Sequence, residues 1–320
     1  MQKYDMMKRR NFLKGSALAG SGMLLANSFV KGESLSKLPV EETDSLYPTR
    51  LSIMCYSFFR LKRTGVMDIF GFFESCKYRY DVQACDLWDG FLDSREEDYL
   101  KKIKFALDDR DLVCSSIAWD AAAIWKDDAA ARENAYMAAL EAFNVSKILG
   151  TKFLRIDAGG GFRDTDWTDE AFDYIVEKYK EYCKMAQDNG FRVGPEVHYG
   201  PETSLNNMKR LFEAVDHPAM GLILHFGNFK GNDEEQLAAD KEVAKWACAT
   251  HIAWPICLEE NGFLKERMGF LRDTGYKGYY GVEHHSMANE YANVGIQLAA
   301  VRGVIEDWRN ETQPQGMPGF

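Results

Sequence analysis

Residues 192–228, RVGPEVHYGPETSLNNMKRLFEAVDHPAMGLILHFGN, hold one complete structural repeat. An apolar run of strand type reaches Glu196 and His198, a segment of helical period follows over residues 204–216, and a second apolar run reaches His225 and Asn228. Two strands separated by one helix call for parallel pairing with a crossover. Both runs carry polar, chemistry-bearing residues at the same end.

Outward from this stretch the pattern repeats. Strand candidates are residues 51–58, 80–88, 112–119, 152–158, 192–199, 220–228, 250–256 and 278–284. Helical periods fill residues 68–77, 96–110, 129–149, 169–189, 204–216, 234–249, 262–274 and 289–309. Thr168 or Asp169 suits a helix start, Asn189-Gly190 a helix end, and Gly275 follows the helix before the last strand. Eight such pairs over about 250 residues fit a closed (β/α)8 TIM barrel of class α/β, a single domain at residues 50–310. The competing open doubly wound sheet lacks its Gly-rich phosphate fingerprint after the first strand.

The chain of 320 residues is 46% apolar and 28% charged, enough to bury a large core. Its net charge of -10 and lack of a Lys/Arg stripe argue against a nucleic-acid partner. Thirteen per cent aromatic content, with seven Trp, offers flat walls for a polar organic ligand such as a sugar. The seven cysteines are scattered without a CxxC pair and read as small buried hydrophobes.

Arg9-Arg10 with Phe12-Leu13, ahead of an uncharged stretch from Gly15 to Val30, resembles a twin-arginine export signal at residues 1–33. The stretch is too short and too mildly apolar for a membrane span. A polar linker follows at 34–49, and Pro and Gly mark a tail at 311–320, read as an extended arm, a mobile end or a subunit contact in a homo-oligomer. The signal implies the export machinery as a partner, a periplasmic location and no stable membrane span after cleavage. It holds six basic and two acidic residues, which leaves 33 basic against 47 acidic and a net charge of -14. Substrates of that route cross folded, so disulfides are not required.

In a barrel of this kind chemistry sits at the carboxyl ends of the strands. Five of the six histidines fall at the ends of the last four, in Glu196-Val197-His198, His225-Phe226-Gly227-Asn228, His251-Ile252-Ala253-Trp254 and Glu283-His284-His285. Any one of these suits a structural role; together Glu196, His225, His251 and Glu283 converge from four consecutive strands. Two imidazoles and two carboxylates suit Mn, Co, Zn, Fe or Mg. His198 points the same way as Glu196 and is placed to touch substrate or orient a ligand. Asp157 closes strand four, either facing substrate or paired with Arg155. Asp86, Trp88, Trp119, Trp254, Asn228 and His284 complete the candidate substrate contacts.

The strand order, the Glu-Val-His ending of strand five, the His of strand seven and the Val-Glu ending of strand eight resemble the sugar phosphate isomerase/epimerase family. These are the xylose isomerase-like TIM barrels of the AP endonuclease family 2 superfamily, and the likeness spans residues 50–309. It implies a divalent metal on Glu196, His225, His251 and Glu283, with Glu196 and Glu283 as exchanging base and acid. The implied reaction is isomerisation or epimerisation of a sugar by proton abstraction alpha to its carbonyl through a metal-bound enediolate. Two departures stand out. The family usually has Asp where His225 stands, which moves the preference from Mg towards Mn, Co, Zn or Fe. Ala253-Trp254-Pro255 stands where Lys or Asp often follows the strand-seven His. Alternatives are a carbon–oxygen lyase acting by beta-elimination on 3-keto-glycosides and a noncatalytic carbohydrate-binding barrel. An abasic-site endonuclease would need a basic groove, against the acidity of the body.

Overall fold

Residue parity along the strands decides what enters the barrel. In a strand, alternate residues face opposite sides. Phe153, Ile223 and Ala249 pack with one another, whereas their neighbours Leu154, Leu222 and Leu224 belong to the large core shared with the helices. Arg155, His225 and His251 share the parity of the first set, so each is carried on the inner side of its strand.

The computed structural model describes residues 50–312. The export signal and linker expected at 1–33 and 34–49, and all but the start of the tail, lie outside them. In chain order the elements are β1 (Leu51–Met54), α1 (Phe59–Arg63), α2 (Ile69–Glu74), β2 (Ala84–Trp88), α3 (Glu97–Asp108), β3 (Val113–Ala118) and α4 (Ala129–Leu149). β4 (Phe153–Arg155), α5 (Asp169–Asn189), β5 (Arg192–Gly194), α6 (Leu205–Val215), β6 (Leu222–His225) and α7 (Asp233–Val243) follow. β7 (Ala247–His251), α8 (Trp254–Leu258), α9 (Leu264–Asp273), β8 (Tyr280–Val282) and α10 (Glu290–Thr312) complete the chain.

Parallel pairing runs from β5 through β4, β3, β2 and β1 to β8, and β6 pairs with β7. Bridges Val193↔Met220 and Glu196↔Ile223 join β5 to β6, and Ile252↔Val282 joins β7 to β8. The eight strands thus close in chain order into the expected (β/α)8 barrel. Helix ends follow local chemistry. The Thr168 hydroxyl accepts from Ala171 N at 3.2 Å, and Gly190 (φ 77°) ends α5 in the left-handed conformation. Among the described residues no helix is long and apolar enough to cross a membrane. The seven cysteines are free thiols, Cys248 and Cys257 half-buried and the rest buried.

The strands are shorter than the apolar runs suggested. Residues 55–58 turn into a 3-10 helix instead of continuing β1, and residues 254–258 form α8, with Pro255 in its first turn, where its missing N–H costs no helix bond. Conversely, α7 stops at Val243 and the segment to Ala249, expected as helix, becomes a short 3-10 turn and the start of β7; Trp246 there stacks on Phe212 at 4.3 Å.

Close approach of β5 and β6 depends on Gly194, where a Cβ would lie 1.9 Å from the Gly221 carbonyl oxygen. Gly194→Ala should therefore cost about 3 kcal/mol, the upper end for an overpacked site. Gly303→Ala, in α10 with nothing within 4 Å of its Cβ position, should gain about 0.5–1 kcal/mol from helix propensity. Urea unfolding of the two variants checks both signs.

Candidate active site and its metal-ligand cluster

Strand register brings the key side chains together. His225 and His251 end β6 and β7 as direct register partners, so their rings emerge side by side, 5.7 Å apart at 85°. Glu196 lies two residues past β5, held against β6 by Ile223 N→Pro195 O (3.0 Å) and Val197 N→Ile223 O (3.2 Å). Glu283 follows β8, its N–H donating to Ile252 O at 3.1 Å. One ligand atom from each of these four lies within 4.8 Å of the other three.

The spacing suits a single ion. From Glu196 Oε1, His251 Nδ1 is 2.8 Å and His225 Nδ1 2.9 Å away; from Glu283 Oε2 they are 3.4 and 3.9 Å away. Donor atoms sharing one cation at bonds of about 2.1 Å lie about 3.0–3.4 Å apart, a range that the four separations of 2.8–3.9 Å bracket, so the group could hold an ion. His251 Nε2 faces Asp86 Oδ2 at 3.0 Å. A ring that donates Nε2–H to this carboxylate directs its Nδ1 lone pair at the cluster, the arrangement in which carboxylates support metal-ligating histidines.

Charge is dense here. Burial alone would raise the Glu196 carboxyl, but His251, His198 and the hydrogen bonds from His225 and His251 hold it well below the usual carboxylate range. Burial likewise opposes ionisation of Glu283, yet His251, His285 and His225 bring it down to about 2. His251 is pushed down by burial and more strongly up by Glu196, Glu283 and Asp86, ending well above the ordinary histidine range.

The buried Arg155 guanidinium organises the neighbouring acids. It donates to Glu196 Oε2 at 2.7 Å, pairs with Asp120, and lies 3.7 Å from Asp157. Asp157 in turn faces His198 Nδ1 at 2.9 Å. Arg155 stood in the sequence as a charged residue inside an apolar strand, a signal weighed only as a partner for Asp157. His285, also outside the expected site set, approaches Glu283 Oε2 at 3.2 Å and stacks on His225 at 5.7 Å. Tyr56 sits 6.1 Å from His285.

A cavity of about 780 Å³ opens beside this group and reaches it at His225. His198, His225, Asn228, Trp254 and His284 of the expected site line it, with His285. The Asn228 amide also donates to the carbonyls of Val197 (2.6 Å) and His198 (2.9 Å), fixing the loop that bears Glu196. His284 is buried and its Nδ1 has no hydrogen-bond partner among the described residues. Seven expected site residues are not among the cavity's lining residues, Glu196, His251 and Glu283 of the cluster and four expected contacts. Asp86 is buried between His251 and Ser116, and Asp157 between Arg155 and His198. Trp119 is 1% exposed beneath Arg95, and Trp88 donates Nε1–H to Asp120 at 2.8 Å and meets Tyr56 edge-on.

Glu283 gains stability from its low pKa, so that contribution is present above its ordinary value of 4.5 and is lost as pH falls towards about 2. The unfolding free energy of metal-free protein should fall as pH is lowered from 4.5 towards 2, and Glu283→Gln should flatten that slope in urea unfolding at stepped pH. Arg155→Met, which strands buried Asp157 and Glu196 without their cation, should cost about 3–5 kcal/mol in urea unfolding.

The fold is shared with known structures. A 3-keto-D-glucoside 4-epimerase from E. coli superposes with a TM-score of 0.65 at 15% identity, covering 80% of this chain and 100% of that one. A xylose isomerase-like TIM barrel protein from Mycobacterium smegmatis, in complex with magnesium, gives 0.63 at 13% identity, over 84% and 99% of the two chains. D-psicose 3-epimerase in the presence of D-fructose gives 0.61 at 11%, over 82% and 99%. No curated protein matches the chain significantly in sequence. The family model for the xylose isomerase-like TIM barrel matches residues 79–302, and the chain belongs to that family.

Proposed function

We propose that the protein is a divalent-metal-dependent sugar isomerase or epimerase that removes the proton alpha to a carbohydrate carbonyl. One observation carries the reading: four ligand atoms from Glu196, His225, His251 and Glu283 gather within 4.8 Å of one another, and His225 of the four lines a cavity. A divalent cation bound there supplies a Lewis acid for the carbonyl and its neighbouring hydroxyl. His225, in place of a carboxylate, favours Mn, Co, Zn or Fe over Mg. The likeness to epimerases of sugars and keto-glucosides supports the substrate class.

The two glutamates are unequal partners. Glu196 has Oε2 held by Arg155 and Oε1 between two imidazoles. Glu283 has Oε2 beside His285 and His251, while its Oε1 makes no hydrogen bond among the described residues. Glu283 is therefore the base, and Glu196 is first a ligand and only secondarily its exchange partner. His198, set by Asp157, and Asn228 and His284 hold hydroxyls of the reacting ring; Asp86 aligns His251. A single free base also favours beta-elimination from a keto-glycoside as the second reading, since elimination needs only one base at the alpha carbon. The signal proposed at residues 1–33 would deliver the enzyme to the periplasm, where free or glycosidic sugars are its substrates.

Protein purified without chelator should carry close to one transition-metal equivalent per chain, and the Glu196→Gln/Glu283→Gln double variant should lose it. Little metal in either would sink the metalloenzyme reading. In D2O, loaded protein should place deuterium alpha to the carbonyl of a bound keto sugar, about 10²–10⁴-fold more slowly in Glu283→Gln. Release of an aglycone instead of exchange marks the lyase, and neither outcome marks a binding protein.

A further inference from the structure

The cavity is larger and more one-sided than the proposed chemistry at a single ring requires. Its volume of about 780 Å³ lies in the upper part of the roughly 300–1,000 Å³ range for ligand pockets. Its lining comes from residues 198–293, after strands five to eight. Of the metal-ligand cluster it touches His225, with His198 and His285 beside it. From there it runs outward between the segments that follow β6 and β7. Gly227 (φ 74°) permits this course, since a Cβ there would lie 2.8 Å from Ile256 Cδ1.

The outer walls carry a distinct chemistry. Asp233 and Gln236 of α7 face into the cavity together with Trp254, Glu259 and Asn261. Asn261 Nδ2 donates to Asp233 Oδ2 at 2.7 Å, linking the two walls. Planar amides and carboxylates pair well with vicinal hydroxyls, and an indole offers a face for the C–H side of a sugar ring. Anions are poorly served. The outer part presents two carboxylates and no Lys, and its Arg267 is 1% exposed, paired with Asp240 and bonded to Gly262 O at 2.8 Å. The N-terminus of α7, where a phosphate would otherwise settle, is closed by its own capping box of Asn232 and Glu235.

We propose that the outer cavity is a second sugar subsite, formed by Trp254, Gln236, Asn261 and Asp233, and that the substrate is an uncharged glycoside of at least two rings and not a sugar phosphate. This rests on the reading that the inner end handles a sugar. The reacting ring sits at the cluster and the second ring stacks on Trp254, with its hydroxyls shared between α7 and Asn261.

Calorimetric titration of the metal-loaded full chain tests this with unreactive ligands: cellobiose, maltose, methyl β-D-glucoside and glucose 6-phosphate. At least one disaccharide should bind about tenfold tighter than the methyl glucoside, a difference of roughly 1.4 kcal/mol. Glucose 6-phosphate should bind no better than the methyl glucoside. Trp254→Ala should bring the disaccharide to methyl glucoside ratio close to one, Trp254→Phe should keep most of it, and Gln236→Ala should reduce it. Equal binding of disaccharides and methyl glucoside, a ratio unchanged in Trp254→Ala, or preferred binding of glucose 6-phosphate overturns the subsite. Metal content separates this failure from that of the catalytic reading: a chain that binds its metal but shows no disaccharide preference loses only the second subsite, whereas a chain without metal loses the reading beneath it.

Discussion

Two carboxylates and two imidazoles share a buried space less than 5 Å across, and the surrounding structure is arranged around that crowding. Buried charge is tolerated only when paired and hydrogen-bonded. Each member accordingly has a second partner outside the group: Asp86 behind His251, Arg155 behind Glu196, and His285 beside both Glu283 and His225. These supports come from β2, from β4 and from the loop after β8. A closed barrel alone brings such distant strands to one end of a common interior, which ties the site to the topology.

Strand parity made the cluster legible. Helical and apolar periods located the repeats, and the spacing of polar residues at strand ends picked out Glu196, His225, His251 and Glu283 for convergence. What could not be read was depth along the barrel axis. Asp86 and Asp157 end apolar runs just as the cluster residues do, yet they support His251 and His198 and lie outside the four-residue group. Strand boundaries failed for a related reason: an apolar run does not distinguish a ladder residue from one that has left the sheet and remains buried. Residues 55–58 and 254–258 are of this kind, apolar in both roles but helical in the fold.

Arg155 illustrates the other limit. One arginine in an apolar strand reads as half of a salt bridge, because sequence can show a neighbour two positions away but not three acids arriving from three loops. Its contacts with Asp120, Asp157 and Glu196 make it the counter-charge for a whole side of the site. Trp88 is drawn into the same network through Asp120, which explains why an indole expected on the substrate wall is engaged elsewhere.

This network also breaks the symmetry between the two glutamates. In an arrangement of two equivalent bases, each carboxylate needs one oxygen for the metal and one for the proton. Arg155 occupies the second oxygen of Glu196 with a charge-assisted bond of 2.7 Å, about twice as strong as a neutral one. Freeing that oxygen would leave a buried guanidinium with one partner fewer, so under the proposed reading Glu196 serves as ligand before base. Glu283 has no such restraint on Oε1, and His285, outside the four-residue cluster, lies 3.2 Å from its Oε2. Under the proposed reading proton abstraction falls to Glu283, while Arg155 lies buried behind Glu196. Under that reading, return of the proton to the other face would have to use Glu196 against its bond to Arg155, a constraint that follows from one arginine on β4.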